Sequence, residues 1–166
     1  YFGGGDQGVA SIGSGIARPG LLGSNIGTGG QVTTCLAQPK HDPFYRTSTY
    51  RHSVPGHYTL YGAILSAGLA LKWLQNTFFP SLSFQQMDAL AARARPGCDG
   101  LYFLPYLAGE RTPHLDPLAR GVVLGLSLKH GAPEVIRAVM EGVCFALREC
   151  YGILVEAGVR PERVVA

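Results

Sequence analysis

A mixed α/β fold, with long helices packed on a sheet, is what this sequence predicts, and three observations carry the prediction. Hydrophobic residues make up 46% of the chain and charged residues only 15%, the balance of a globular domain with a buried sheet rather than of a disordered segment. From Pro133 to about Ala157 the apolar residues Ile136, Met140, Val143, Leu147, Cys150 and Leu154 recur at helical spacing, so one long helix buries a single stripe. Upstream, Leu21 to Ile26 and Gln31 to Leu36 flank Gly27-Thr28-Gly29-Gly30, which reads as a β-hairpin closed by a glycine turn. A chain of 166 residues is long enough for one domain with a real core and too short for two large ones.

The elements follow in order. Tyr1-Phe2 reads as the end of a strand leading into Gly3-Gly4-Gly5-Asp6. Gln7 to Ala17 is then a small-residue helix. Eleven of the 23 glycines fall in the first thirty residues, but Val9, Ile12, Ile16, Leu21, Leu22 and Ile26 are interleaved with them, so close backbone packing or ligand approach explains them better than a linker. After the hairpin, residues 37–56 are an irregular polar segment with Pro39, Pro43 and Pro55, followed by a short strand, Tyr58 to Tyr61. Gly62 is expected to open a helix, Ala63 to Phe79, bounded by Pro80. A second helix, Phe84 to Ala94, ends at Arg95-Pro96-Gly97, and Leu101 to Leu104 is a strand stopped by Pro105. Pro133 suits the first position of the long helix and Gly158 its stop, and Arg163 to Ala166 opens a last strand. The chain starts with Tyr1 rather than Met and both ends read as strand, so a fragment of a longer protein is expected.

Composition excludes several functions. The net charge is only +3, and Lys40, Arg46 and Arg51, the nearest thing to a basic patch, lack a stripe or binding motif, so nucleic acid is not an expected partner. Cys35, Cys98, Cys144 and Cys150 show no Cys-x-x-Cys spacing and read as buried free thiols. His41, His52, His57 and His130 sit in separate loops without metal-ligand spacing, so no metal ligand is assigned. The most apolar helix candidate is interrupted by Ser66, Lys72, Gln75 and Asn76, and no membrane span or signal peptide is read. A cytoplasmic protein is the expectation.

Two places could hold chemistry. Asp6 follows three residues without side chains at a helix start, where a carboxylate can approach a ligand closely or simply cap the helix. The Gly27 to Gly30 turn exposes backbone N–H groups able to cradle phosphate oxygens, with the Thr28 hydroxyl as a further donor, though alone it is also an ordinary turn. A third stretch is the most distinctive. Leu104 to Gly121 reads Leu-Pro-Tyr-Leu-Ala-Gly-Glu-Arg-Thr-Pro-His-Leu-Asp-Pro-Leu-Ala-Arg-Gly, a charge-dense loop stiffened by Pro113 and Pro117. Val-Val-Leu-Gly-Leu follows, and then Glu134-Val135-x-x-Ala138-Val139-Met140-Glu141.

That block resembles the C-terminal signature of the FGGY carbohydrate kinases, and its Gly-Glu-Arg-Thr-Pro-His loop is most similar to the xylulokinase branch. The resemblance covers nearly the whole chain and implies a ribonuclease H-like lobe of the actin-like ATPase and sugar kinase type: a mixed sheet flanked by helices, here incomplete, with residues 1–166 a partial C-terminal lobe. It implies ATP-dependent phosphorylation of D-xylulose to D-xylulose 5-phosphate in an intact two-lobed enzyme, with another pentose or polyol as the alternative acceptor. Asp6 matches the Asp of the family's Gly-Gly-Gly-Asp motif and inherits the role of catalytic base. Gly27, Thr28 and Gly29 match a turn that contacts the ATP phosphates and usually reads Gly-Thr-Ser-Gly; Gly29 replaces the Ser, removing one hydroxyl. Mg²⁺ is expected to travel with the nucleotide. The sugar and the N-terminal lobe are the implied partners. Glu110, Arg111 and His114 are expected to order the cleft between lobes, and Glu141 to face solvent or pair with Arg137 or Arg148. A rival reading makes the chain a non-catalytic module forming a homodimer through an apolar patch on the helix 134–157.

Overall fold

The computed structural model describes residues 6–166. The expected Tyr1-Phe2 strand end and Gly3 to Gly5 lie outside them. The elements are α1 (Asp6–Gly13), β1 (Leu21–Ile26), β2 (Gly30–Leu36), β3 (Ser48–Arg51), β4 (Tyr58–Ile64), α2 (Gly68–Phe78), α3 (Phe84–Ala91), β5 (Tyr102–Leu104), β6 (Val122–Leu124), α4 (Ala132–Glu156) and β7 (Arg163–Val165). The mixed α/β class expected from the sequence is what forms.

Five strands make the main sheet in the order β3-β4-β2-β1-β7. The first four pair antiparallel, with Ile26 opposite Gly30 at the hairpin turn and Gly30 opposite Ile64 across β2 and β4. The edge strand β7 runs parallel to β1, Leu22 opposite Val164, which is possible because α4 carries the chain back across the sheet. One sheet face presents Leu22, Val32, Leu36, Leu60 and Ile64 to α4 and α2, and Val143, Leu147, Cys150, Leu154 and Leu74 fill the space between. The opposite face holds a smaller cluster, Ile16, Leu21 and Cys35.

The long helix has 25 residues, a length of about 37 Å. The Glu134 carboxylate accepts the Gly131 amide at its start. Gly158, at φ +80°, ends it: its amide donates to Val155 and the next amide, Val159, to Leu154, a Schellman motif. Gly15, at φ +77°, does the same for α1, with Gly15 N–H to Ile12 and Ile16 N–H to Ser11. That motif stops α1 at Gly13, short of the expected Ala17.

Gly62 does not open a helix. It lies within β4, which runs on to Ile64, and α2 begins only at Gly68. A Cβ at Gly62 would stand 3.0 Å from Cys150 Cβ and 3.2 Å from Thr112, so this glycine is where the strand approaches α4. Helix α3 ends at Ala91, three residues before the expected Ala94, although its start is fixed by reciprocal bonds between Ser83 and Gln86. Strand β3 occupies part of the segment expected to be irregular.

Strand β6 was also unforeseen. Among the described residues it pairs only with β5, and their outward residues Tyr102, Leu104, Val122 and Leu124 are 40–63% exposed. This ribbon, rather than α4, carries the larger apolar surface, since the exposed large apolar residues of α4 are Phe145 and Tyr151. Three of the four cysteines are buried as expected, but Cys144 is exposed. Burial pushes the Cys150 thiol up to about 12 and the Cys98 thiol up to about 11, the latter aided by the nearby Glu141 carboxylate. No helix among the described residues is long and apolar enough to cross a membrane.

Candidate active site

Asp6 is the first residue of α1, and its carboxylate is exposed. Its Oδ1 accepts the amide of the next residue, Gln7, at 2.8 Å, rather than the Gly8 or Val9 amides that a capping carboxylate would take. Helix α1 itself is tightly held. A Cβ at Gly8 would lie 2.5 Å from Ser53 Oγ, and the buried His52 places Nε2 2.9 Å from the Ile16 carbonyl. Because His52 Nδ1 accepts the Val54 amide, Nε2 carries the proton and donates to Ile16, so both ring nitrogens are spent on backbone.

A cleft of about 360 Å³ opens between α1 and the β1–β2 hairpin, lined in part by Gln7, Ser11, Asn25, Gln31 and Thr33; Asp6 is not among its lining residues but adjoins Gln7 in sequence. Strand alternation explains the polar lining: Gly23 and Asn25 on β1, and Gln31 and Thr33 on β2, point away from the face that carries Leu22 and Val32. Asn25 and Gln31 are cross-strand partners, one residue pair inside the turn. These lining residues escaped the sequence reading, although polar residues at alternate positions in a strand with an otherwise apolar face were the available signal.

The Gly27 to Gly30 turn is clamped to the start of α2. The Thr28 carbonyl accepts the amides of Ala67 and Leu69, each at 3.0 Å, and the Gly27 carbonyl accepts the Gly68 amide at 2.9 Å. The first amides of α2 are therefore occupied by the turn. Packing accounts for two of its glycines. A Cβ at Gly29 would lie 2.6 Å from the Ile64 carbonyl oxygen, and one at Gly30 would lie 2.9 Å from Leu147 Cδ2. A serine at position 29 would need the turn or β4 to shift. Gly27 has no such constraint, its nearest neighbour standing 3.7 Å away. Thr28 is exposed, which leaves its side chain accessible.

The proline-braced loop orders its surroundings through backbone groups. Glu110 is 2% exposed. Its Oε1 accepts the Leu65 amide at 2.9 Å and the Arg111 amide at 2.7 Å, while Oε2 has no partner among the described residues. Thr112 Oγ1 accepts the Ala63 amide at 3.1 Å and donates to the Arg46 carbonyl at 2.7 Å. His114 Nε2 lies 2.9 Å from the Tyr106 hydroxyl. Glu141 pairs with Arg137 at 2.7 Å, as one of the two expected pairings had it, and also accepts the Gly97 amide. The basic residues 40, 46 and 51 are engaged locally: Lys40 with the Gly158 carbonyl, Arg46 with Asp42 and Glu156, Arg51 over the Tyr58 ring. The Arg46 hydrogen bonds hold the Asp42 carboxyl below its usual range.

Burial raises the Glu110 carboxyl above the ordinary glutamate value. The folded chain then binds this proton more readily than the unfolded one, so the Glu110 contribution to stability falls as pH rises from the ordinary value through the raised one. Glu110→Gln in the full-length protein should flatten that slope and melt no lower than the parent at neutral pH. Thermal melts across the mildly acidic range test this, and an unchanged slope would show that Glu110 titrates normally.

Comparison with known proteins agrees with this architecture. Residues 22–166 match the model of the FGGY family of carbohydrate kinases, C-terminal domain. A xylulose kinase of Staphylococcus epidermidis is 40% identical over 158 residues, covering 95% of this chain and 32% of that protein. The crystal structure of xylulose kinase from Rhodospirillum rubrum superposes with a TM-score of 0.89 at 37% identity, covering 98% of this chain and 33% of the other. A gluconokinase of Bacillus subtilis is 34% identical, covering 93% of this chain and 32% of that protein. The chain thus spans about a third of the length of the curated relatives it matches. With the mixed sheet, the glycine turn and the match of residues 22–166 to the C-terminal domain, this chain belongs to the FGGY family of carbohydrate kinases.

Proposed function

We propose that the intact protein transfers the γ-phosphoryl group of ATP to a hydroxyl of D-xylulose, giving ADP and D-xylulose 5-phosphate. The observation that carries this reading is the exposed Asp6 carboxylate at the start of α1, next in sequence to Gln7 of the cleft, in a chain whose similar proteins include xylulose kinases. The sugar hydroxyl oxygen would bond to the γ-phosphorus as the bond to the bridging β,γ oxygen breaks, and Asp6 would take the hydroxyl proton. Gly27, with room above it, and the Thr28 hydroxyl would contact the phosphates. Mg²⁺ would arrive bound to the nucleotide phosphates. The remaining two thirds of such a kinase would supply the opposing lobe, whose closure excludes water.

The gluconokinase match favours a sugar acid as the second reading. An ADP-release assay on the full-length enzyme with D-xylulose, other pentoses, polyols and gluconate separates the two. The highest kcat/KM should fall on D-xylulose, and a higher value for gluconate would overturn that assignment. Thr28→Ala in the same assay should raise KM for ATP several-fold, roughly the loss of one hydrogen bond, with a smaller effect on kcat.

A further inference from the structure

The segment Ala63 to Leu69 is gripped from both sides. On one side, Thr112 brackets Ala63, donating its amide to the Ala63 carbonyl at 3.0 Å and accepting the Ala63 amide on Oγ1. Two residues on, Glu110 Oε1 takes the Leu65 amide. On the other side, Ala67, Gly68 and Leu69 donate to the carbonyls of Gly27 and Thr28, and Gly29 lies against the Ile64 carbonyl. Seven residues thus join the loop around Glu110 to the glycine turn through backbone bonds on both faces.

We propose that Glu110 is a positioning residue for nucleotide binding, holding the end of β4 and the start of α2 so that the Gly27-Thr28 turn keeps the shape that receives phosphate. The proposal rests on reading that turn as the phosphate contact. A buried carboxylate with one unpartnered oxygen is costly in an apolar setting, and the two amides it gathers need only one acceptor atom. What Glu110 supplies is an acceptor at a fixed reach, with Leu65 N on one side and its own loop on the other. Its hydrogen bond to the segment, at Leu65, is two residues from Ala67, the nearest amide that holds Thr28, a distance over which a β-strand end and a helix start transmit displacement directly.

The required reach separates the variants. Glu110→Gln keeps an oxygen at the Oε1 position and should bind ATP as the parent does. Glu110→Asp keeps the charge but is one methylene too short for Leu65, and Glu110→Ala has no acceptor. In the full-length kinase both should raise KM for ATP roughly tenfold, the loss of one charge-assisted bond, with kcat changed less than threefold and KM for the sugar unchanged. Hydrogen exchange at Leu65, Ala67 and Leu69 should quicken in Glu110→Asp and not in Glu110→Gln. If Glu110→Ala fails to fold, the comparison of Asp with Gln still decides. A parental KM for ATP in Glu110→Asp, or equal impairment in Glu110→Gln, overturns the proposal. Gly27→Ala is the independent control, since its methyl meets nothing closer than 3.7 Å in the fold yet would stand where phosphate approaches. A raised KM for ATP in Gly27→Ala with a normal Glu110→Asp removes the role of Glu110 alone. A normal KM in Gly27→Ala removes the phosphate reading of the turn and the proposal with it, even where exchange at Ala67 and Leu69 responds to Glu110→Asp.

Discussion

Asp6→Asn in the full-length kinase should lower kcat by about 10²–10⁴-fold while KM for ATP stays near its parental value. Asparagine keeps the size of the side chain and an oxygen for the Gln7 amide, but it cannot accept the hydroxyl proton. On the proposed reading the nucleotide would be held by backbone groups of the turn, which do not depend on that proton. Because Asp6 is exposed and its bond is to its neighbour, the substitution should leave the melting temperature almost untouched. Full turnover per folded molecule together with a lowered melting temperature would make Asp6 a helix cap and place the base elsewhere.

Complete loss of activity is the expected result for the 166-residue chain on its own. Phosphoryl transfer requires donor, acceptor and base aligned in a site that excludes water, and one lobe offers a single wall. Sugar-dependent ADP release by the purified chain at a rate near the ~1–100 s⁻¹ typical of kinases would end the two-lobe account.

The elements legible in the sequence are those whose cause is local. Helix α4 could be read because its apolar stripe, Pro133 and Gly158 are all sequence features, and the β1–β2 hairpin because Gly27 to Gly30 separates two runs of strand formers. What stayed hidden depends on distant partners. Gly62 looks like a helix opener until Cys150, 88 positions later, is seen to occupy the space a side chain would need. Strand β3 is a four-residue edge pairing on one side only, so it needs no alternation of apolar and polar residues. The three residues of β6 are all exposed and carry no buried periodicity.

The site divides in the same way. Asp6 and the glycine turn stand out as candidates from short motifs alone, with the packing reasons for Gly29 and Gly30 visible only in three dimensions. The stiffness of the proline-braced loop was legible from Pro113 and Pro117, but the main-chain groups it holds were not. Glu110 reaches the Leu65 amide across 45 positions, and no spacing rule links a carboxylate to a main-chain group so far away. Burial turned the Glu110 carboxylate inward and left Arg111 exposed, a division that two adjacent charged residues do not announce.

The β5–β6 ribbon has a consequence for how the isolated chain would behave as a colloid. Four apolar side chains on one side of a two-stranded ribbon, next to the unpaired main-chain groups of its free edge, offer any similar ribbon both a hydrophobic contact and a ladder to extend. A net charge of +3 spread over 166 residues supplies little repulsion against that encounter. Solubility would then be governed by this short segment rather than by the average surface, and it would fall with protein concentration and with added sulfate as apolar contact is strengthened. A lysine on the free edge at Val122 or Leu124 would make such stacking costly without touching Phe103, the ribbon residue seated in the core.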